Sequence, residues 1–334
     1  MIQEIRIKNY LSFRDEVVLS FEATKDTTFE ECQVVNVTPK VRLLRFALIY
    51  GANASGKSNL LNAMNFLRDF WFDKKSDIDE ETGVVPFLLD TETPNEPSEF
   101  NIKFFVGDKR YWYALVLDDK QVIKENLYVY NSVQPSLVFS RELDGTTSLI
   151  KLNASLVKAN ATIVEQLNVK CLSNMSFFAA RNQVNCSLAY IDEVRDWMKN
   201  NMMPIIEPGT RMFDYAGKQM EKNVELKAYI LDFVHKADYN ITDVYTEREK
   251  VPIPDIVKAS IMEDKDIPEK VKEKMLADNA LERLRTDFQH TVKNKRGEEN
   301  YRLPNSLQSE GTKRTFGIEA AIYEAIKTNG ILPI

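Results

Sequence analysis

The sequence predicts an α/β fold: a β-rich N-terminal lobe carrying a phosphate-binding loop, a mainly helical insertion, and a short C-terminal return to the core. Three observations predict it. Apolar and polar residues alternate over roughly the first 150 positions, the apolar period lengthens to that of an amphipathic helix from about Ser155, and a glycine-rich loop stands between an apolar run and a helical pattern.

In chain order, Ile5 and Ile7, then Val17, Leu19 and Phe21, alternate as strand residues do. "LLRFALIY" (Leu43 to Tyr50) is continuously apolar and is expected to be a strand buried on both faces. "FNIKFFV" and "YWYALVL" are joined through Gly107, and "LVFSREL" runs into Asp144-Gly145, a dipeptide suited to a tight hairpin because glycine tolerates positive φ. Helical faces follow at Leu156, Ile163, Val164 and Leu167, at Tyr190, Val194, Trp197 and Met198, and at Leu226, Ile230, Phe233 and Val234. "EDKDIPEKVKEKM" (Glu263 to Met275) reads as a solvated helical excursion, and "TDFQHTVKN" and "YRLP" return to strand around Gly297. These shifts divide the chain into a strand-rich N-terminal lobe with the glycine-rich loop at 1–150, a mainly helical insertion at 151–285 and a core-rejoining segment at 286–334.

Composition narrows the function classes. The 334 residues are 44% hydrophobic and 28% charged, ordinary values for one or two globular domains. No apolar run reaches the roughly 18 residues that span a bilayer, and the N-terminus lacks a signal-peptide layout, so a cytoplasmic protein is expected. Cys32, Cys171 and Cys186 form an odd set without C-x-x-C spacing, which argues for reduced, partly buried thiols over disulfides or zinc. A net charge of −6 opposes a surface that coats nucleic acid throughout and leaves room for a local basic groove.

"LIYGANASGKSNLL" holds the full G-x-x-x-x-G-K-[ST] spacing. Gly51 lets the chain turn sharply, and Gly56 lets backbone N–H groups approach phosphate oxygens without an intervening Cβ. Lys57 supplies a flexible cation for the β and γ phosphates, and Ser58 a hydroxyl for Mg²⁺. The candidate ATP-binding set is Gly51, Asn53, Ala54, Ser55, Gly56, Lys57, Ser58 and Asn59, with the positive end of the next helix behind it.

A second loop lies far along the chain. Ser309-Glu310-Gly311-Thr312 precedes a helical pattern through Phe316, Ala320, Ile322, Ala325 and Ile326, then Gly330 at the place of a C-terminal cap, then "ILPI". Loop, helix and apolar strand in that order resemble the ABC-type signature motif ahead of a Walker B strand. With "IRIKNYLSFRD", "LIYGANASGKSNLLNAM", "AYILDFVHKADYNITDVYTERE" and "LQSEGTKRTFGIEAAIYEAIKTNGIL", the chain resembles ABC-like AAA ATPases related to SMC, RecF and OLD proteins. More closely, it resembles the stand-alone ATPases of bacterial anti-phage loci, of the RloA, AbiL and PARIS AriA kind.

That resemblance implies an SMC-like ATPase head, with ATP and Mg²⁺ as cofactors and two copies sandwiching the nucleotide. Ser309 and Gly311 of one copy would join Lys57 of the other as the catalytic set, and Arg14 in "NYLSFRD" is a candidate contact. It also implies homodimers or larger homo-oligomers and a nuclease or Toprim-type effector. The sequence departs from the family pattern in two places. No Gln occurs from Asn59 to Lys120 to serve a Q-loop, although "PFLLD" lies near that place. The Asp-Glu pair that positions metal and water is expected beyond Ile334, so this chain is expected to bind ATP with little or no turnover. His235 and His290 precede the signature and read as packing or surface residues. Three functions stay open: an ATP-dependent controller of an effector in phage defence, a RecF/SMC-like DNA repair or chromosome-maintenance head for which nucleic acid is a partner, and a non-hydrolysing scaffold.

Overall fold

The computed structural model describes residues 1–237, 240–264, 267–277 and 280–334. Part of the "ADYN" segment and Lys265 and Asp266 of the mixed-charge run thus lie outside the described residues. The described chain divides into two compact units, Met1–Ile206 with Thr328–Ile334, and Glu207–Lys327.

The first unit is organised by one antiparallel sheet. Its elements are β1 (Ile2–Lys8), β2 (Val17–Ser20), α1 (Glu30–Gln33), β3 (Val34–Thr38), β4 (Val41–Leu44), α2 (Lys57–Phe70), β5 (Ser98–Val106), β6 (Lys109–Leu117), β7 (Val122–Tyr130), β8 (Ser136–Asp144), β9 (Thr147–Leu152), α3 (Ala161–Lys170), α4 (Phe177–Arg181) and α5 (Ile191–Asn201). Seven strands run in the order β2-β1-β5-β6-β7-β8-β9, while β3 and β4 form a separate hairpin. Gly107 and Gly145, at φ 59° and 62°, make the turns that set the β5/β6 and β8/β9 registers.

Alternation sends Phe100, Ile102, Phe104, Tyr111, Tyr113, Leu115, Leu127 and Val129 to one buried face. α2 covers it with Leu60, Ala63, Met64, Leu67 and Phe70, and Phe66 stacks on Phe100 at 5.1 Å. α4 and α5 cover the rest: Phe177 stacks on Phe139 at 4.0 Å and Trp197 on Phe104 at 4.2 Å. The helices from Ala161 to Asn201 therefore pack with the sheet, and the contact division falls at Ile206 where the composition shift falls near residue 150.

"LLRFALIY" departs from its expectation. Its strand ends at Leu44, and Phe46, Leu48 and Tyr50 are 63%, 62% and 82% exposed. β4 pairs with β3 as a hairpin, and Phe46 to Tyr50 joins no ladder, so those side chains stand exposed.

The second unit contains α6 (Phe213–Lys222), α7 (Val224–Lys236), β10 (Asp243–Pro252), α8 (Asp255–Glu263), α9 (Glu269–Ala277), β11 (Ala280–Asn294), β12 (Gly297–Pro304) and most of α10 (Glu310–Thr328). β10, β11 and β12 form an antiparallel sheet, so this segment is not helical throughout. Met220, Leu226, Ile230, Val244, Phe288 and Phe316 make its core. In the mixed-charge run, Lys272 is buried and donates to the Met262 carbonyl.

After α10 it is Asn329, at φ 51°, that adopts the left-handed cap conformation expected of Gly330. The apolar tail then pairs in parallel with the segment after α5: Ile331 N–H donates to the Asn201 carbonyl and Ile206 N–H to that of Pro333. Of the cysteines, Cys32 is exposed, against expectation, and burial pushes the Cys171 thiol up to about 11.

Candidate functional site

The glycine-rich loop connects residue 50 to α2. Ala54 and Gly56 both take left-handed backbone, at φ 62° and 89°, which folds residues 51–56 into a curl ending at the helix start. A Cβ on Gly56 would stand 2.7 Å from Ser12 Oγ and 2.8 Å from the Phe13 ring, so both conformation and space require glycine there. A Cβ on Gly51 would meet Ser55 Oγ at 2.6 Å. Ser55 N–H donates across the curl to the Ala52 carbonyl.

Lys57 opens α2, and its ammonium donates to the Gly51 carbonyl at 3.0 Å and the Ala52 carbonyl at 2.7 Å. The cation thus lies over the loop it belongs to, tethered by two neutral acceptors that an anionic phosphate oxygen would outcompete. The first-turn N–H groups of a helix have no acceptor within the helix, so Lys57, Ser58 and Asn59 present donors alongside the helix dipole. Asn53 in the curl and Ser58 in the first turn of α2 are exposed. Donors without carboxylates suit a polyphosphate. The exposed Ser58 hydroxyl in the first turn of α2 is the group that could meet a magnesium ion carried by nucleotide phosphates.

The structure adds two residues to this site. Ser12 accepts a hydrogen bond from Asn59 Nδ2 at 2.9 Å, and Phe13 lies against Gly56. Their sequence signal was the "NYLSF" stretch itself, but only the fold brings its turn to the loop. Arg14 is exposed, paired with Asp15 at 3.3 Å.

Ser309 and Gly311 lie in the second unit at the start of α10. Ser309 Oγ accepts from Thr312 N–H at 3.0 Å and bonds the Thr312 hydroxyl at 2.8 Å, an N-cap arrangement. Gly311 is exposed, and a Cβ there would meet only Ser309 Oγ, at 3.7 Å. His290 Nε2 is 2.7 Å from the Gln308 side-chain nitrogen, and His235 is exposed in the last turn of α7.

Residues 46–152 match a protein family described as "AAA domain, putative AbiEii toxin, Type IV TA system". That span starts just ahead of the curl and includes α2 and the strands from β5 to β9. The match supports an AAA-type P-loop ATPase. No curated protein matches the chain. A nucleotide-binding ATPase domain accounts for the glycine curl, the lysine and the helix start together, and no described helix is long and apolar enough to cross a membrane.

Proposed function

We propose that this chain is the ATP-binding part of a nucleotide-gated switch. MgATP sits in the curl formed by Gly51, Asn53, Ala54, Ser55, Gly56, Lys57, Ser58 and Asn59. Two copies then assemble around it, each offering Ser309 and Gly311 to the γ-phosphate held by the other, and the assembly controls a partner effector of nuclease or Toprim type in defence against phage.

The carrying observation is the curl itself: left-handed Gly56 leads directly into α2 while Lys57 rests on the loop carbonyls. The start of α10 is open enough to suit the second half of the reading: among the described residues a Cβ on Gly311 would meet only Ser309 Oγ, at 3.7 Å. The matched family's description names a toxin of a type IV toxin–antitoxin system, which supports a role in abortive infection.

The physical logic is one of linkage. Each site alone contacts part of the triphosphate, so ATP stabilises the assembly by binding it better than it binds either copy, and removal of the γ-phosphate reverses that. Titration calorimetry tests the first step: MgATP binds the wild-type chain, and Lys57→Ala weakens it by about a hundredfold, the loss expected for charge-assisted bonds to phosphate. Equal affinity for both proteins refutes the site.

A further inference from the structure

The turn that presses on Gly56 is held from behind by one buried side chain. Asn9 is 1% exposed, follows β1 directly, and takes left-handed backbone at φ 51°. Its amide is fully used. Nδ2 donates to the Thr93 and Glu96 carbonyls, both at 2.8 Å, and Oδ1 accepts from Phe87 N–H at 3.0 Å. Its backbone carbonyl accepts from the Ser98 hydroxyl, and its N–H donates to the Arg14 carbonyl. One asparagine thus joins the strap at residues 87–98 to the base of the 9–14 turn.

The turn carries that anchorage to the phosphate loop. Tyr10 and Phe13 exchange backbone hydrogen bonds, and Leu11 N–H donates to the Val85 carbonyl at 2.9 Å. Leu11 is itself left-handed at φ 48°, a conformation an ordinary side chain keeps only when its surroundings enforce it. At the tip, Ser12 accepts from Asn59 in the first turn of α2, and Ser12 and Phe13 fill the space a Cβ on Gly56 would need. Removing the Asn9 amide would take the side-chain donor from the Glu96 carbonyl, the acceptor from Phe87 N–H and one of two donors from the buried Thr93 carbonyl, which Glu96 N–H also serves, and the turn would lose its fixed seat under Gly56.

We infer that Asn9 is a positioning residue for the nucleotide site: it sets the place of Ser12 and Phe13, and through them the curl at Gly56 and the Asn59 side chain. The inference rests on the reading of residues 51–59 as a nucleotide site. Supporting shells of this kind fix a site to a fraction of an ångström, and their loss typically costs about 10–100-fold in affinity.

The test uses the full chain, titrated with MgATP by calorimetry and melted in parallel. Asn9→Gly keeps the left-handed backbone while deleting the amide, and Ser12→Ala removes only the Asn59 acceptor, so it serves if Asn9→Gly fails to fold. Asn160→Ala, which removes the N-cap of α3 far along the chain, reports the effect of lost stability alone. Support is a rise in Kd of about tenfold or more for Asn9→Gly, a smaller rise for Ser12→Ala, and unchanged affinity for Asn160→Ala at a comparable fall in Tm. Wild-type affinity in a folded Asn9→Gly overturns the inference while leaving the nucleotide site standing, provided Lys57→Ala still weakens binding as predicted above; so does wild-type affinity in Ser12→Ala where Asn9→Gly does not fold. Absence of binding by the wild type overturns the site and the inference together.

Discussion

Replacing Arg141 with Met would leave the Glu125 carboxylate in the core of the first unit without its cation. Both side chains are fully buried and 3.1 Å apart. Glu125 also accepts from the Tyr113 hydroxyl at 2.9 Å and from Phe177 N–H at 2.8 Å, while Arg141 donates to Ser148 Oγ and to the carbonyls of Leu172, Ser173 and Met175. The pair thus ties β7, β8 and β9 to the segment leading into α4. Removing one partner of a buried ion pair costs about 3–5 kcal/mol, chiefly the uncompensated charge left behind. A unit of this size loses about 2–4 °C of Tm per kcal/mol, so Arg141→Met is expected to melt about 6–20 °C lower.

The pH dependence supplies the sharper check. Burial already holds the Glu125 pKa above its ordinary value, and the Arg141 charge is the main influence opposing it. Without Arg141 the carboxyl rises further, so the folded protein keeps a proton where the unfolded chain has released it. A group raised in the folded state adds stability below its unfolded pKa and loses that contribution as pH rises through the folded value. The Tm deficit of Arg141→Met should therefore be smaller at acidic than at alkaline pH, and adding Glu125→Gln should recover part of it at neutral pH. Calorimetric melts of the wild type, both single variants and the double variant decide the matter. A deficit independent of pH, or a double variant as unstable as the sum of the singles, would refute the claim that uncompensated charge is the cost.

Two glycines give further tests. Gly56→Ala places a Cβ 2.7 Å from Ser12 Oγ in a left-handed backbone, so MgATP binding measured by calorimetry should be lost while circular dichroism stays that of a folded chain. Gly311→Ala meets no obstacle within its own chain and replaces glycine in the first turn of α10, so Tm should hold or rise slightly. If a second copy's phosphate must approach there, the same variant should bind MgATP normally yet fail to assemble with it in sedimentation velocity.

Much of the fold was legible because its signals are local. Gly107 and Gly145 marked their hairpins through turn chemistry that needs no distant partner. The α5 and α7 faces were legible in part: Val194, Trp197 and Met198, and Leu226, Ile230 and Val234, are buried, while Tyr190 and Phe233 of the same expected faces are half-buried and, on the first expected face, Leu156 precedes α3 and only Leu167 is buried. β10 was not legible, because "TEREKV" carries charge on successive positions and its pairing with β11 shows in no alternation of its own. The exposed run Phe46 to Tyr50 was misread for a related reason: an apolar stretch shows what a segment prefers to contact, not whether the neighbour is present.

The candidate site divides along the same line. The geometry of Gly51 through Asn59, a glycine turn running into a helix start, could be anticipated because it is written in consecutive residues. Asn9 and Ser12 could not, because their roles are defined by carbonyls and an N–H contributed from residues 85–98 and by a side chain on α2. An asparagine in a solvated turn and one that anchors a strap are the same letter; the buried amide with every polar atom paired distinguishes them, and that is a property of space. Ser309 shows the converse. Its cap of α10 explains the serine completely from within the chain, which makes Gly311, unexplained by any neighbour closer than 3.7 Å, the more discriminating residue for the proposed assembly.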